Sequence, residues 1–86
     1  MALPRALAAC ADEIATGADV ATALERVVQQ VRAAGFGPVD YVELRHADSL
    51  QPLATCPPGT PARVLAAAWL GDVRLIDGMA VPTVAG

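Results

Sequence analysis

The sequence has no lysine. Its cations are six scattered arginines, set against nine acidic residues and one histidine, for a formal net charge of −3. Aromatic residues are as scarce: one Phe, one Tyr and one Trp. A nucleic-acid surface needs clustered cations, often interleaved with stacking rings, so this composition argues against nucleic-acid binding. No apolar run reaches the roughly 18–20 residues that span a bilayer, and no membrane partner is expected. Asp12 and Glu13 interrupt the N-terminal apolar stretch, which makes it a poor secretory signal and leaves a cytoplasmic location as the expectation. Only two cysteines occur, Cys10 and Cys56, with no Cys-x-x-Cys, and His46 is the sole histidine. A zinc site needs three or four converging ligands, so no metal is expected. Two free thiols are expected rather than a disulfide.

What the chain does have is alanine, valine and leucine: 19, 10 and 9 residues of 86. This length suits one domain, residues 1–86, whose folding buries only about 60–65% of the surface of the unfolded chain. Alanine adds little apolar area, so Val, Leu, Ile14, Phe36, Tyr41, Trp69 and Ile76 are expected to supply most of the hydrophobic free energy. The length also counts against a complete ATP-using enzyme, whose nucleotide-binding domain alone usually takes about 100 residues.

Periodicity divides the chain. Leu3, Leu7, Cys10 and Ile14 recur at helical spacing and predict a helix over residues 3–16, with Pro4 in its first turn and Gly17 as its stop. Val20, Leu24, Val27, Val28 and Val31 predict a second helix over residues 20–34, with Asp19 as N-cap and Gly35 and Gly37-Pro38 ending it. From Val39 the period becomes two. Strict alternation sends Asp40, Val42, Leu44 and His46 to one face and Val39, Tyr41, Glu43 and Arg45 to the other. Ala47–Pro61, broken by four prolines and Gly59, reads as a loop. Residues 63–70 and 73–79 read as a hairpin about Gly71-Asp72, a type I′ or II′ turn. Residues 62–70 could be helical by propensity, but the tight turn and the matching run after it favour a strand, apolar on both faces and therefore central. The expected fold is α+β: two N-terminal helices packed on a three-stranded, mainly antiparallel sheet.

Few residues carry chemistry. His46, at a strand end beside Asp48, is the one group with an ordinary acid–base range near neutrality. Arg74 and Asp77 suggest a polar cluster near the hairpin. Tyr41, Glu43 and Arg45 share a strand face, for which a solvated cross-strand pair is the plain reading. Trp69 reads as core more readily than as an interface anchor. Cys56 lacks an activating base or cation and is not expected to be a nucleophile.

Three stretches together carry a resemblance: Val39-Asp40-Tyr41-Val42-Glu43-Leu44-Arg45, Ala47-Asp48-Ser49-Leu50-Gln51-Pro52-Leu53, and Ala66-Ala67-Ala68-Trp69-Leu70-Gly71-Asp72-Val73-Arg74-Leu75-Ile76-Asp77. Their order and spacing resemble the C-terminal domain of bacterial pantothenate synthetases (pantoate–β-alanine ligases), over about residues 2–81. The third stretch is the most specific. The resemblance implies an enzyme that uses ATP and Mg²⁺ to form pantoyl adenylate, which β-alanine attacks to give pantothenate and AMP. It also implies that the nucleotide chemistry resides in an N-terminal domain with a His-x-Gly-His signature and in a Met-Ser-Ser-Arg loop. This sequence has neither motif. The family's C-terminal domain serves as a cover over the active-site cleft, so no catalytic, cofactor-binding or metal-binding residue is carried over. The sequence departs from the family pattern at Gly78, where Asn is common after Asp, and at His46, where Asp is common after Arg.

Three functions follow as expectations. The first is the cover domain of the ligase, inactive without the N-terminal nucleotide-binding domain, fused or separate, as partner. The second is a free-standing module that self-associates as a homodimer or binds a partner. The third is a small enzyme that recruited this scaffold, with Tyr41, Glu43, His46, Arg74 and Asp77 as its candidate groups.

Overall fold

A computed structural model describes residues 2–82. The expected single domain over residues 1–86 thus includes five residues, 1 and 83–86, that lie outside the described residues. The described elements run α1 (Ala2–Ala15), α2 (Val20–Ala33), β1 (Val39–His46), β2 (Ala62–Leu70) and β3 (Val73–Ala80). The strands form one antiparallel sheet in the order β1-β2-β3. Two N-terminal helices packed on a three-stranded antiparallel sheet is the expected α+β fold.

Local chemistry sets the boundaries. Asp19 caps α2: its carboxylate accepts from the Thr22 backbone N–H at 3.0 Å and from the Thr22 hydroxyl at 2.9 Å. At the other end Gly35 takes a φ of 100°. Its N–H donates to the Arg32 carbonyl and that of Phe36 donates to Val31, the paired bonds of a Schellman stop. Val31 and Phe36 are both buried, so the turn that ends the helix also seals the core. In the hairpin Gly71 has a φ of 63°, and Leu50 is the only non-glycine with positive φ among the described residues. Asp72 therefore has negative φ, which selects type II′ over type I′.

The core lies between the helices and one face of the sheet. Leu3, Leu7, Cys10 and Ile14 of α1 and Val20, Val27 and Val31 of α2 meet Leu44, Val64, Ala66 and Ala68. The alanines of β2 have a packing role: small side chains on the central strand let the helices approach the sheet closely. Arg26 and Glu13, 2.9 Å apart, tie the two helices at their exposed edge.

Strict alternation fails at the start of β1. The register shifts between Val39, opposite Ala68, and Tyr41, opposite Ala67, so Asp40 is the extra residue of a β-bulge. The bulge brings Val39 to the core side with Val42 and sends the Asp40 carboxylate to the other side, where it meets Trp69 and Arg74. The expectation had these two residues reversed. A second correction concerns the large apolar side chains. Ile76 is 64% exposed, and neither Trp69 nor Tyr41 belongs to the core. All three lie on the face of the sheet that no helix covers.

Candidate functional site

The sheet divides the five candidate polar residues into two sets. His46 is paired with Ala62, and Asp77 with Ala66. Both thus share the helix-side rows of β2, because Ala62 and Ala66 are core residues. Tyr41, Glu43 and Arg74 are paired with Ala67, Leu65 and Trp69, on the open face. The expected Arg74–Asp77 cluster does not form: three positions apart on one strand, the two point to opposite faces. Asp77 instead accepts from the Gly78 backbone N–H at 2.8 Å. His46 braces the turn that follows it, its Nδ1 accepting from the N–H groups of Asp48 at 3.2 Å and Ser49 at 3.4 Å.

The open face is organised around two arginines. Arg74 Nε donates to Asp40 Oδ2 at 2.7 Å, and Trp69 Nε1 donates to the same oxygen at 3.3 Å. At the other end, Arg45 Nε donates to Glu43 Oε2 at 2.7 Å, and its Nη1 donates to the Leu50 carbonyl at 2.8 Å. Arg45 thereby holds Leu50 in its left-handed conformation, φ 60°, with the side chain 55% exposed. A shallow groove of about 450 Å³ runs between Leu50 and Leu65 over Tyr41, Glu43 and Arg45. Between the two arginine clusters lies the row Tyr41–Ala67–Ile76. Ala67 is fully buried although it lies outside the helix-side core, so its neighbours on the open face cover it.

Sequence reasoning missed Asp40, which it placed in the core row, and the coupling of Leu50 to Arg45. The Asp40 signal was present: Val39 and Val42 are both apolar and three apart, a break in two-residue periodicity that marks a bulge once the flanking strand is accepted.

The cysteines are free. Cys10 is buried in the core; burial, helped by the charge of Glu13, pushes its thiol up to about 11. Cys56 lies in a shallow apolar cleft of about 320 Å³ between the end of α1 and the residue 56–60 loop, with no charged residue in its lining. Burial raises its thiol as well. Both shifts disfavour the thiolate. Among the described residues no three His, Cys, Asp or Glu side chains converge. No helix among them is long and apolar enough to cross a membrane.

This fold and chain order have counterparts among known proteins. The sequence profile of the family described as Pantoate-beta-alanine ligase matches residues 1–80. The chain belongs to the pantoate–β-alanine ligase family. Pantothenate synthetase of Caulobacter vibrioides is 49% identical over 82 residues, which are 94% of this chain and 29% of that protein. Pantothenate synthetase of Paracoccus denitrificans is also 49% identical, over 93% of this chain and 27% of its own length. The crystal structure of pantothenate synthetase from Thermus thermophilus superimposes with a TM-score of 0.75 at 34% identity, covering 93% of this chain and 28% of that one. The chain thus spans less than a third of the length of these ligases.

Proposed function

We propose that this chain is the C-terminal cover domain of an ATP-dependent, AMP-forming pantoate–β-alanine ligase of the cytoplasm, and that it is inactive without the nucleotide-binding part of the enzyme. One observation carries the reading: family similarity extends over nearly all of this chain and only 29% of the Caulobacter vibrioides protein. The sequence agrees, since the His-x-Gly-His and Met-Ser-Ser-Arg motifs of the family are absent from it. On this reading ATP and Mg²⁺ bind to the larger part, and the small domain contributes shape: a rigid sheet, backed by two helices, that closes a cleft and excludes water from a reactive acyl adenylate.

The open-face groups fit a covering role better than a catalytic one. Arg45 and Arg74 are each held by a carboxylate, and the two cysteines are disfavoured as thiolates. The test is a graft. This chain replaces the matching segment of the Caulobacter vibrioides enzyme, and AMP release from ATP, pantoate and β-alanine is measured. Turnover by the graft and none by the isolated chain is expected; turnover by the isolated chain at an enzymatic rate overturns the proposal.

A further inference from the structure

We infer that the turn at residues 47–50 is a pH-sensitive element of this fold: the neutral imidazole of His46 closes it, and a proton on Nδ1 opens it and frees Leu50 and Arg45. The device stands apart from the ligase reading and does not depend on it.

Two backbone N–H groups, those of Asp48 and Ser49, donate to the one Nδ1 atom, at 3.2 and 3.4 Å. A nitrogen that accepts carries no proton, so this ring is neutral and holds its proton on Nε2. An imidazolium donates at both nitrogens and accepts at neither. Protonation therefore removes both bonds together and sets an N–H against each amide. Histidine is the side chain whose ordinary titration falls between pH 5 and 8, so the turn meets both ring states within that interval.

The segment that the ring closes is strained. Leu50 has a φ of 60°, a left-handed conformation that is unfavourable for a residue with a Cβ. Backbone and side-chain bonds hold it there. Its N–H donates to the His46 carbonyl at 3.0 Å, the His46 N–H donates to the Gln51 carbonyl at 2.9 Å, and Arg45 Nη1 donates to the Leu50 carbonyl at 2.8 Å. Once the imidazole no longer accepts, the Asp48 and Ser49 amides gain by turning to water. Release of the strain at Leu50 acts in the same direction. Leu50 and Arg45 both line the groove on the open face, so opening the turn reshapes that groove.

The charges around His46 are engaged elsewhere or absent. Its partner on β2 is Ala62, whose carbonyl accepts from the Val81 N–H. Arg45 and Arg63 pair one position away, on the opposite face. On the helices Glu13 pairs with Arg26, Asp19 holds Thr22, Glu25 and Arg32 flank β1 at Val39–Val42, and Arg5 and Asp12 are exposed. Asp77 of β3 accepts from the Gly78 N–H. No ion pair among the described residues includes His46. Asp48 is the one charged residue within the turn.

The experiment measures imidazole 15N shifts and amide hydrogen exchange on the full chain at pH 7.5 and 5.5, for wild type, His46→Asp and His46→Ala. An aspartate can accept the same two N–H groups in an Asx-turn, and its carboxylate stays ionised across this interval. At pH 7.5 the wild-type ring should carry its proton on Nε2. From pH 7.5 to 5.5 the protection factor of the Leu50 amide, corrected for the intrinsic pH dependence of exchange, should fall about tenfold, while the amides of α1 and β2 keep theirs. His46→Asp should retain Leu50 protection at both pH values, and His46→Ala should lack it at both. A proton on Nδ1 at pH 7.5 overturns the inference. So does unchanged Leu50 protection at pH 5.5 with the ring protonated, an equal fall in His46→Asp, or a fall shared by α1 and β2. Wild type and His46→Asp decide the matter even if His46→Ala does not fold.

Discussion

A Cβ placed on Gly78 would lie 2.8 Å from Cδ2 of Leu65, its register partner on β2. Leu65 thus leans into space that only a glycine leaves open, and the same leucine lines the groove beside Leu50. Glycine inside a strand costs about 0.5–1 kcal/mol of backbone entropy relative to alanine. Gly78→Ala recovers this entropy but must displace the end of a leucine side chain. In a double-mutant cycle, Gly78→Ala should be more favourable in a Leu65→Ala background than in wild type, with a coupling of about 0.5–1 kcal/mol. Urea unfolding of the four proteins measures it. Additive effects would show that the two residues are independent.

Asp40 joins the bulge of β1 to the hairpin through Trp69 and Arg74. The pair is more than a third exposed on both sides, so solvent screens it. Asp40→Ala should cost about 1 kcal/mol or less. It should also change the emission of Trp69, the only tryptophan, through loss of the indole hydrogen bond. Arg74→Ala removes the ion pair but leaves that hydrogen bond, so it should alter the emission less. Equal spectral changes in the two variants would contradict this division of roles.

The thiols give a pH-dependent prediction. Cys10 titrates near 9.0 when unfolded and at about 11 in the folded chain. Between these values the unfolded state has released a proton that the folded state retains, so stability falls as pH rises through that window. Chemical unfolding at pH 8 and pH 10 should show a larger loss for wild type than for Cys10→Ala. Under native conditions a thiol reagent should modify Cys56, which is partly exposed, before Cys10, which is 2% exposed.

The cap of α2 titrates in the opposite sense. The Thr22 backbone N–H, and then its hydroxyl, hold the Asp19 carboxyl below its ordinary value of 3.8. Its stabilisation is present above that value and lost as pH falls through the lowered one. Asp19→Ala should lower Tm at pH 7, with the difference from wild type shrinking toward pH 2.

The elements that were legible in the sequence are those whose pattern is local. The i, i+3, i+4 stripe of Leu3, Leu7, Cys10 and Ile14, the Asp19 cap, and the Gly71-Asp72 turn each depend on neighbours within a few residues, and each appears where its chemistry places it. The face assignments that failed depend on one inserted residue. The bulge at Asp40 exchanges Asp40 and Val39 between faces, and its one mark in β1 is the three-residue spacing of Val39 and Val42. Ile76 and Trp69 read as core because their side chains are apolar, yet a two-layer fold of this size has helices for only one side of its sheet. Only the register shows that Tyr41, Trp69 and Ile76 share the uncovered side, and that the candidate group of Tyr41, Glu43, His46, Arg74 and Asp77 divides between two faces.

The central claim is that this domain completes a pantoate–β-alanine ligase that it cannot replace. The most direct measurement is the steady-state rate of AMP release, with ATP, Mg²⁺, pantoate and β-alanine, from the Caulobacter vibrioides enzyme whose matching 82 residues are exchanged for this chain. The account predicts turnover within about tenfold of the parent enzyme and none from the isolated chain. A soluble, folded exchange protein without activity, or an isolated chain that releases AMP at the parent rate, would contradict it.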